Sequence, residues 1–213
     1  MAGHGDGAVM GVSDDAILLE ADNLQNEAAD LLGQAGLLAC IQATYPCRVS
    51  GSVALGLMVR RDVDIWAELP DDHDIPGFFQ VGARIVGSFQ VAKASFSNHF
   101  IRGLPEFDHG LYWGVEINHR GQRWKLDLWG YGPERYSEHT NWFDELRRAL
   151  AGVGRVNVLR AKKALLAGGH YDQGITGLEI YEAVLSGARS KEQVVESALQ
   201  QRALNGSAKR AAA

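Results

Sequence analysis

The stretch VSGSVALGLMVRRDVDIW, residues 49–66, is apolar overall and yet carries two aspartates one residue apart. The alternation of residues 62–68 predicts a strand, on which side chains two residues apart project from the same face. Asp62 and Asp64 should therefore lie side by side while their apolar neighbours face the core. Burying unpaired charge is costly, and adjacent carboxylates repel each other, so the pair indicates a bound cation. Hard divalent ions such as Mg²⁺ prefer these oxygen ligands.

A Gly-Ser pair lies a short distance before the aspartates. Gly51 and Ser52 are predicted at the turn between a short strand, 48–51, and a short helix, 52–58. Backbone N–H groups at such a turn bind anions, and glycine lets a ligand approach the backbone closely, so the turn suits phosphate. An Asp-x-Asp pair also occurs in glycosyltransferases that use nucleotide sugars, and this reading stays open as an alternative.

The Gly-Ser turn, the short helix and the Asp-x-Asp strand resemble the nucleotidyltransferase superfamily, which includes DNA polymerase β and the antibiotic nucleotidyltransferases. Members of this superfamily carry a third carboxylate on a later strand. The segment RWKLDLW, 123–129, offers Asp127 for that role, and Glu116 on the preceding predicted strand is the alternative. The resemblance covers roughly residues 48–130.

The resemblance implies a Mg²⁺-dependent enzyme that transfers a nucleoside monophosphate, with ATP as the default donor, to a hydroxyl group and releases pyrophosphate. Two Mg²⁺ ions, or Mn²⁺ in their place, would be held by Asp62, Asp64 and Asp127, which would also be the catalytic residues. A lysine of the helix after the third aspartate, Lys162 or Lys163, would reach the triphosphate. The residues assigned to nucleotide or phosphate binding are Gly51, Ser52, Arg61, Lys125 and Lys163. The loop 168–174 would line the acceptor or base pocket.

The composition bears on the acceptor. The chain has 213 residues and a formal net charge of −5, with a pI near 5.8. This balance argues against a polynucleotide as the main partner and favours a small-molecule acceptor such as an antibiotic, which would connect the protein with antibiotic resistance. Alternatives are a catalytically degenerate nucleotide-binding module and a toxin-type enzyme that modifies tRNA or protein.

The order of predicted elements indicates an α+β fold. Helical patterns over 14–33 and 36–44 precede a mixed sheet flanked by helices, whose hairpin turn is predicted at 119–122, and four further helical patterns follow residue 133. We therefore expect a nucleotidyltransferase-like catalytic domain over 13–133 and a helical bundle over 134–204. The termini, 1–12 and 205–213, are predicted to be a flexible and a disordered tail.

The remaining sequence features concern the cellular compartment. The two cysteines, Cys40 and Cys47, show neither metal-ligand spacing nor a disulfide framework, which favours a reducing cytoplasm. No uncharged apolar run reaches the ~18 residues of a membrane span. The N-terminus lacks the basic and apolar regions of a secretory signal. We expect a cytoplasmic protein.

Overall fold

Five strands form one mixed sheet in the computed structural model, which describes residues 13–102, 109–169, 175–188, 193–197 and 200. The strands are β1 (Cys47–Ser50), β2 (Asp62–Glu68), β3 (Gln90–Asn98), β4 (Leu111–His119) and β5 (Gln122–Tyr131). Their order in the sheet is β1-β2-β5-β4-β3. The pair β2 and β5 is parallel, and the other three neighbouring pairs are antiparallel.

Helices precede, interrupt and follow the sheet. They are α1 (Asp14–Ala29), which continues into a π-helical turn (Asp30–Gln34), α2 (Leu37–Gln42), α3 (Gly51–Leu55), α4 (Ile75–Ser88), α5 (His99–Arg102), α6 (Pro133–Leu150), α7 (Arg155–Ala167) and α8 (Gly177–Leu185). Residues 193–197 are also helical. The predicted α+β class and the order of a mixed sheet followed by helices are confirmed.

Local sequence signals account for most element boundaries. Ser13 caps α1 by accepting a hydrogen bond from the backbone N–H of Ala16. The hairpin turn predicted at 119–122 consists of Arg120 and Gly121 in the structure. Both residues have positive φ angles, as a two-residue turn between twisted strands requires. The helix predicted over 52–58 is shorter, because the left-handed Gly56 ends α3 after Leu55.

The apolar residues form two principal clusters. The first lies between the sheet and the helices α2 and α4, and takes in the buried residues of β2 and β5. The second joins α7 and α8 to the N-terminal half of α1, and it also contains Leu57 and Val59, which lie just before β2. Helix α1 therefore contributes to both clusters, so the C-terminal helices are anchored directly beside the strand that carries the two aspartates.

Several expectations fall outside the described residues. They concern both terminal tails and most of the loop 168–174. Within the described part of the chain, no helix is long and apolar enough to cross a membrane.

Candidate active site

Three carboxylates meet on the face of the sheet opposite the α4 side. Asp62 and Asp64 project from β2, and the parallel register sets Asp64 directly beside Asp127 of β5. One oxygen from each of the three lies within 4.8 Å of the others. Side chains alternate between the two faces of a strand, and this alternation causes the convergence. Val63 and Ile65, which alternate with the aspartates on β2, are fully buried on the other face. Glu116 is not part of this cluster; its carboxylate lies 3.7 Å from Arg123.

Each outer aspartate has a basic neighbour. A guanidinium nitrogen of Arg60 lies 2.5 Å from Asp62 Oδ2, and Lys125 Nζ donates to Asp127 Oδ2 at 2.6 Å. The Tyr112 hydroxyl donates to Asp127 Oδ1. Asp62 Oδ1 is buried and has no hydrogen-bond partner among the described residues. Since buried polar atoms nearly always find partners, this oxygen is free to bind a ligand that the protein itself does not supply.

The central carboxylate is the most perturbed. Burial, together with the neighbouring charges of Asp62 and Asp127, raises the pKa of Asp64 to about 7. A divalent cation would relieve both causes, because it neutralises the repulsion and replaces lost hydration. The three oxygens, the orphaned Asp62 Oδ1 and the raised pKa of Asp64 together fit an oxygen-ligated ion such as Mg²⁺.

Gly51 is required by the position of Asp64. Its φ angle is +58°, and a Cβ built on it would lie 2.0 Å from Asp64 Oδ2. The preceding Ser50 pairs with Asp64 across the antiparallel β1–β2 register. The Gly-Ser turn and the Asp-x-Asp strand are thus in direct steric contact, which explains why the two motifs belong together.

A cleft of about 380 Å³ opens above the carboxylates. One wall includes Asp62, Asp64, Lys125 and Asp127 of the sheet, together with Gly51 and Ser52. The opposite wall comes from the C-terminal helices and is lined by Trp142, Phe143, Leu146, Lys162, Leu178 and Tyr181, among others. An aromatic and apolar wall facing three carboxylates is suited to a ligand with a planar ring and a charged group.

Lys162 is the buried cation of this cleft. Its Nζ donates to the Leu57 carbonyl oxygen at 2.7 Å and to the Tyr181 hydroxyl at 2.9 Å. Burial lowers the pKa of Lys162 to about 7, against the opposing effect of Asp64. An anion bound in the cleft would favour the charged form of this side chain.

The structure does not bring two of the predicted phosphate-binding residues to the cleft. Arg61 turns away and forms an ion pair with Glu27 of α1, at 2.7 Å. Lys163 pairs with Glu20 of the same helix. Neither residue lines the cleft, whereas Gly51, Ser52 and Lys125 do.

From the sequence, Lys162 is named only as the alternative to Lys163 and Tyr112 is not singled out, although signals for both are present. The choice between Lys162 and Lys163 follows from helical spacing, since Lys162 shares a face with the buried Val158, Leu159 and Leu165. Tyr112 occupies the same strand face as Gly114, which pairs with Asp127. To predict that pairing, one needs the register of the β4–β5 hairpin, which the turn residues Arg120 and Gly121 determine.

No protein-family model and no curated protein sequence matches this chain. In three dimensions it is similar to a chain of the poly(A) polymerase complex GLD-2–GLD-3, with a TM-score of 0.56 and 14% identity over 85% of this chain and 61% of that one. For the GLD-2/RNP-8 complex the TM-score is 0.52, with 10% identity over 81% of this chain and 64% of the other. The chain thus spans less than two thirds of the length of these proteins.

At identities this low, the similarity in three dimensions shows the fold alone. The chain has the fold of the nucleotidyltransferase superfamily, to which DNA polymerase β belongs. The similarity of sequence motifs and the similarity of structure therefore agree on the fold.

Proposed function

We propose that this protein is a Mg²⁺-dependent nucleotidyltransferase that transfers a nucleoside monophosphate from an NTP to the terminal hydroxyl of an RNA. The observation that carries the proposal is the cluster of three carboxylates, from two parallel strands, at the base of a cleft that also holds a buried lysine. The acceptor oxygen forms a bond to the α-phosphorus, the bond between that phosphorus and the bridging oxygen breaks, and pyrophosphate leaves.

The carboxylates would hold the metal. Asp62, Asp64 and Asp127 supply the oxygen ligands, and divalent ions bound there would neutralise the triphosphate and activate the acceptor hydroxyl. Lys125 and Tyr112 hold the two oxygens of Asp127 in place. Each of these oxygens keeps a further lone pair, so Asp127 can ligate an ion or accept the proton of the acceptor hydroxyl without losing these contacts.

The other residues of the cleft would bind the donor. Lys162 faces the cleft beside the carboxylates and would stabilise the negative charge of the leaving pyrophosphate. Gly51 and Ser52 line the same cleft and would contact the triphosphate. The aromatic side chains Trp142 and Phe143 offer surfaces on which a nucleobase could stack.

The choice of acceptor rests on two considerations. The fold is shared with chains from poly(A) polymerase complexes, which favours RNA. A small-molecule acceptor, and with it a role in antibiotic resistance, was expected from the acidic net charge and gains no support from the comparisons. Net charge is a property of the whole chain and does not describe the surface beside the site.

The first experiment measures thermal unfolding with ATP, CTP, GTP or UTP, each with and without Mg²⁺. A ligand that binds the native state at 100 times its Kd adds about 2.7 kcal/mol of stability. We expect a Mg²⁺-dependent rise in Tm for at least one NTP, which identifies the donor. That NTP, labelled at the α-phosphate, should then extend an RNA oligonucleotide. Protein that shows neither the Tm rise nor extension would contradict the proposal.

A matched pair of variants tests the site itself. At saturating RNA, Asp127→Asn should abolish transfer, whereas Glu116→Gln, on the neighbouring strand, should leave the rate within about twofold, because Glu116 is outside the carboxylate cluster. Equal losses in the two variants would show that the third metal ligand has been assigned to the wrong residue.

A further inference from the structure

A row of residues runs from the carboxylates across the open face of the sheet. The registers set Asp64 beside Asp127, Asp127 beside Gly114, and Gly114 beside Ser95 on the edge strand β3. Neighbouring strands lie about 4.8 Å apart, so this row extends about 10 Å beyond Asp127. Gly114 has no side chain, so the Tyr112 side chain packs over it, and with the small Ser95 these residues form the floor of a trough, which we call the sheet trough.

The sides of the sheet trough are mostly basic. Its lining includes Arg61, Lys93, Arg123 and Lys125, with Glu116 as the one acidic residue in that lining. The side chain of Arg123 is 73% exposed. Lys93 is exposed and has no ion-pair partner among the described residues. Arg61 and Lys125 are paired with Glu27 and Asp127. The exposed positive charge of the trough therefore comes from Lys93 and Arg123. This local positive charge lies on a chain whose net charge is −5.

The sheet trough and the cleft meet at the carboxylates. Lys125, which contacts Asp127, lines both cavities, and Tyr112 contacts Asp127 from the trough side. A transfer reaction needs two substrates that arrive at one metal centre from different directions. The cleft, with Lys162 and the aromatic wall, accounts for the donor and leaves the sheet trough for the acceptor.

We propose that the sheet trough binds the 3′-terminal segment of a single-stranded RNA and delivers its terminal hydroxyl to Asp127. This inference rests on the proposed function and assigns a path to its acceptor. Lys93 and Arg123 contact backbone phosphates upstream of the terminal nucleotide, and the Tyr112 ring provides a stacking surface near its base. Cations in a line beside an aromatic ring match the repeating charge and the bases of a single strand better than they match a compact small molecule.

The test uses a fluorescently labelled, 15-nucleotide single-stranded RNA and measures its binding by anisotropy between 50 and 200 mM KCl. The double variant Lys93→Glu/Arg123→Glu should bind at least about tenfold more weakly than the parent. For this variant, the slope of log K against log[salt] should be less negative than that of the parent by about 1.4, because two phosphate contacts are lost and each contributes about 0.7 to the slope. The control, Arg147→Glu/Arg148→Glu on exposed positions of α6, changes the net charge equally and should bind RNA nearly as well as the parent.

A second variant blocks the sheet trough without changing its charge. Ser95→Trp places a large side chain on an exposed position of the edge strand and should also weaken RNA binding, while Tm rises with Mg²⁺ and NTP as in the parent. Parent protein that does not bind the RNA, or a control double variant as weak as the trough variant, would overturn this inference. The proposed function is judged separately, because the NTP-dependent rise in Tm does not require the acceptor path.

Discussion

Replacing Gly51 by alanine is the sharpest test of how the site is built. The added Cβ would lie 2.0 Å from Asp64 Oδ2 and 2.7 Å from its Cγ. Separations under 3.0 Å between such atoms essentially do not occur, so the carboxylate must retreat by about 1 Å. The movement displaces the central carboxylate of the cluster, and no change is made to any carboxylate itself.

The substitution lowers both folding stability and the rate of transfer, and the two losses differ in magnitude. An alanine held at the φ angle of +58° costs about 1–2 kcal/mol of folding stability, because its Cβ crowds the backbone. For a chain of this size, that corresponds to a fall in Tm of roughly 2–8 °C. A 1 Å misplacement at a reacting centre can cost on the order of 100-fold in rate. Gly51→Ala should therefore lose far more activity than stability.

Gly121→Ala is the matched control. Gly121 has a φ angle of +73°, and its added Cβ would meet no atom within 4 Å. The two variants carry a similar backbone strain, but the clash with Asp64 occurs in one of them. We expect a fall in Tm without ligand in both variants, larger in Gly51→Ala because of the clash with Asp64, and a loss of the Mg²⁺- and NTP-dependent rise in Tm in Gly51→Ala alone. The reasoning would be refuted by a Gly51→Ala protein that binds the NTP and transfers its nucleotide as well as Gly121→Ala does.

Three further predictions concern the titrating and hydrogen-bonding groups. Because the folded pKa of Asp64, about 7, lies above its reference value of 3.8, its contribution to stability is fully present below about pH 4 and is lost as the pH rises towards 7. Without metal, Asp64→Asn should therefore be stabilised over the parent by an amount that grows across this range, to on the order of 4 kcal/mol, in chemical unfolding; a difference independent of pH would contradict the assignment. Lys162→Met should abolish the NTP-dependent rise in Tm while Lys163→Met retains it, and equal behaviour of the two lysine variants would argue against a role for Lys162. Tyr112→Phe should cost about 0.5–1.5 kcal/mol of stability and slow nucleotide transfer, with RNA affinity preserved because the ring remains; unchanged transfer would exclude a positioning role for the hydroxyl.

Strand β2 illustrates what pattern reasoning can predict. Its bounds and the shared face of Asp62 and Asp64 follow from alternation, because a one-residue shift would turn both carboxylates into the apolar core and expose Val63. Asp127 could be proposed in the same way, as a charge between two leucines on a strand. Local patterns also predict α8, whose periodicity covers Gly177–Leu185.

The basic residues show where such reasoning ends. Arg61 and Lys163 are plausible phosphate ligands by sequence position, but ion pairs with Glu27 and Glu20 of α1 hold them away from the cleft. The partners lie in a helix more than 30 residues earlier, and no local pattern reports that packing. Long basic side chains have many accessible directions, so the nearest acid in three dimensions decides where they point.

The sequence by itself determined the fold class, the strand that carries the aspartates and the glycine turn before it, because alternation, helical periodicity and backbone conformation are local properties. The tertiary structure alone decided that β2 lies parallel to β5, so that Asp64 meets Asp127, and that Lys162 rather than Lys163 enters the cleft. It also decided that Gly114 and Ser95 extend the row of carboxylates to the sheet edge. These relations join residues far apart in the chain, and they follow from burying two apolar clusters at once.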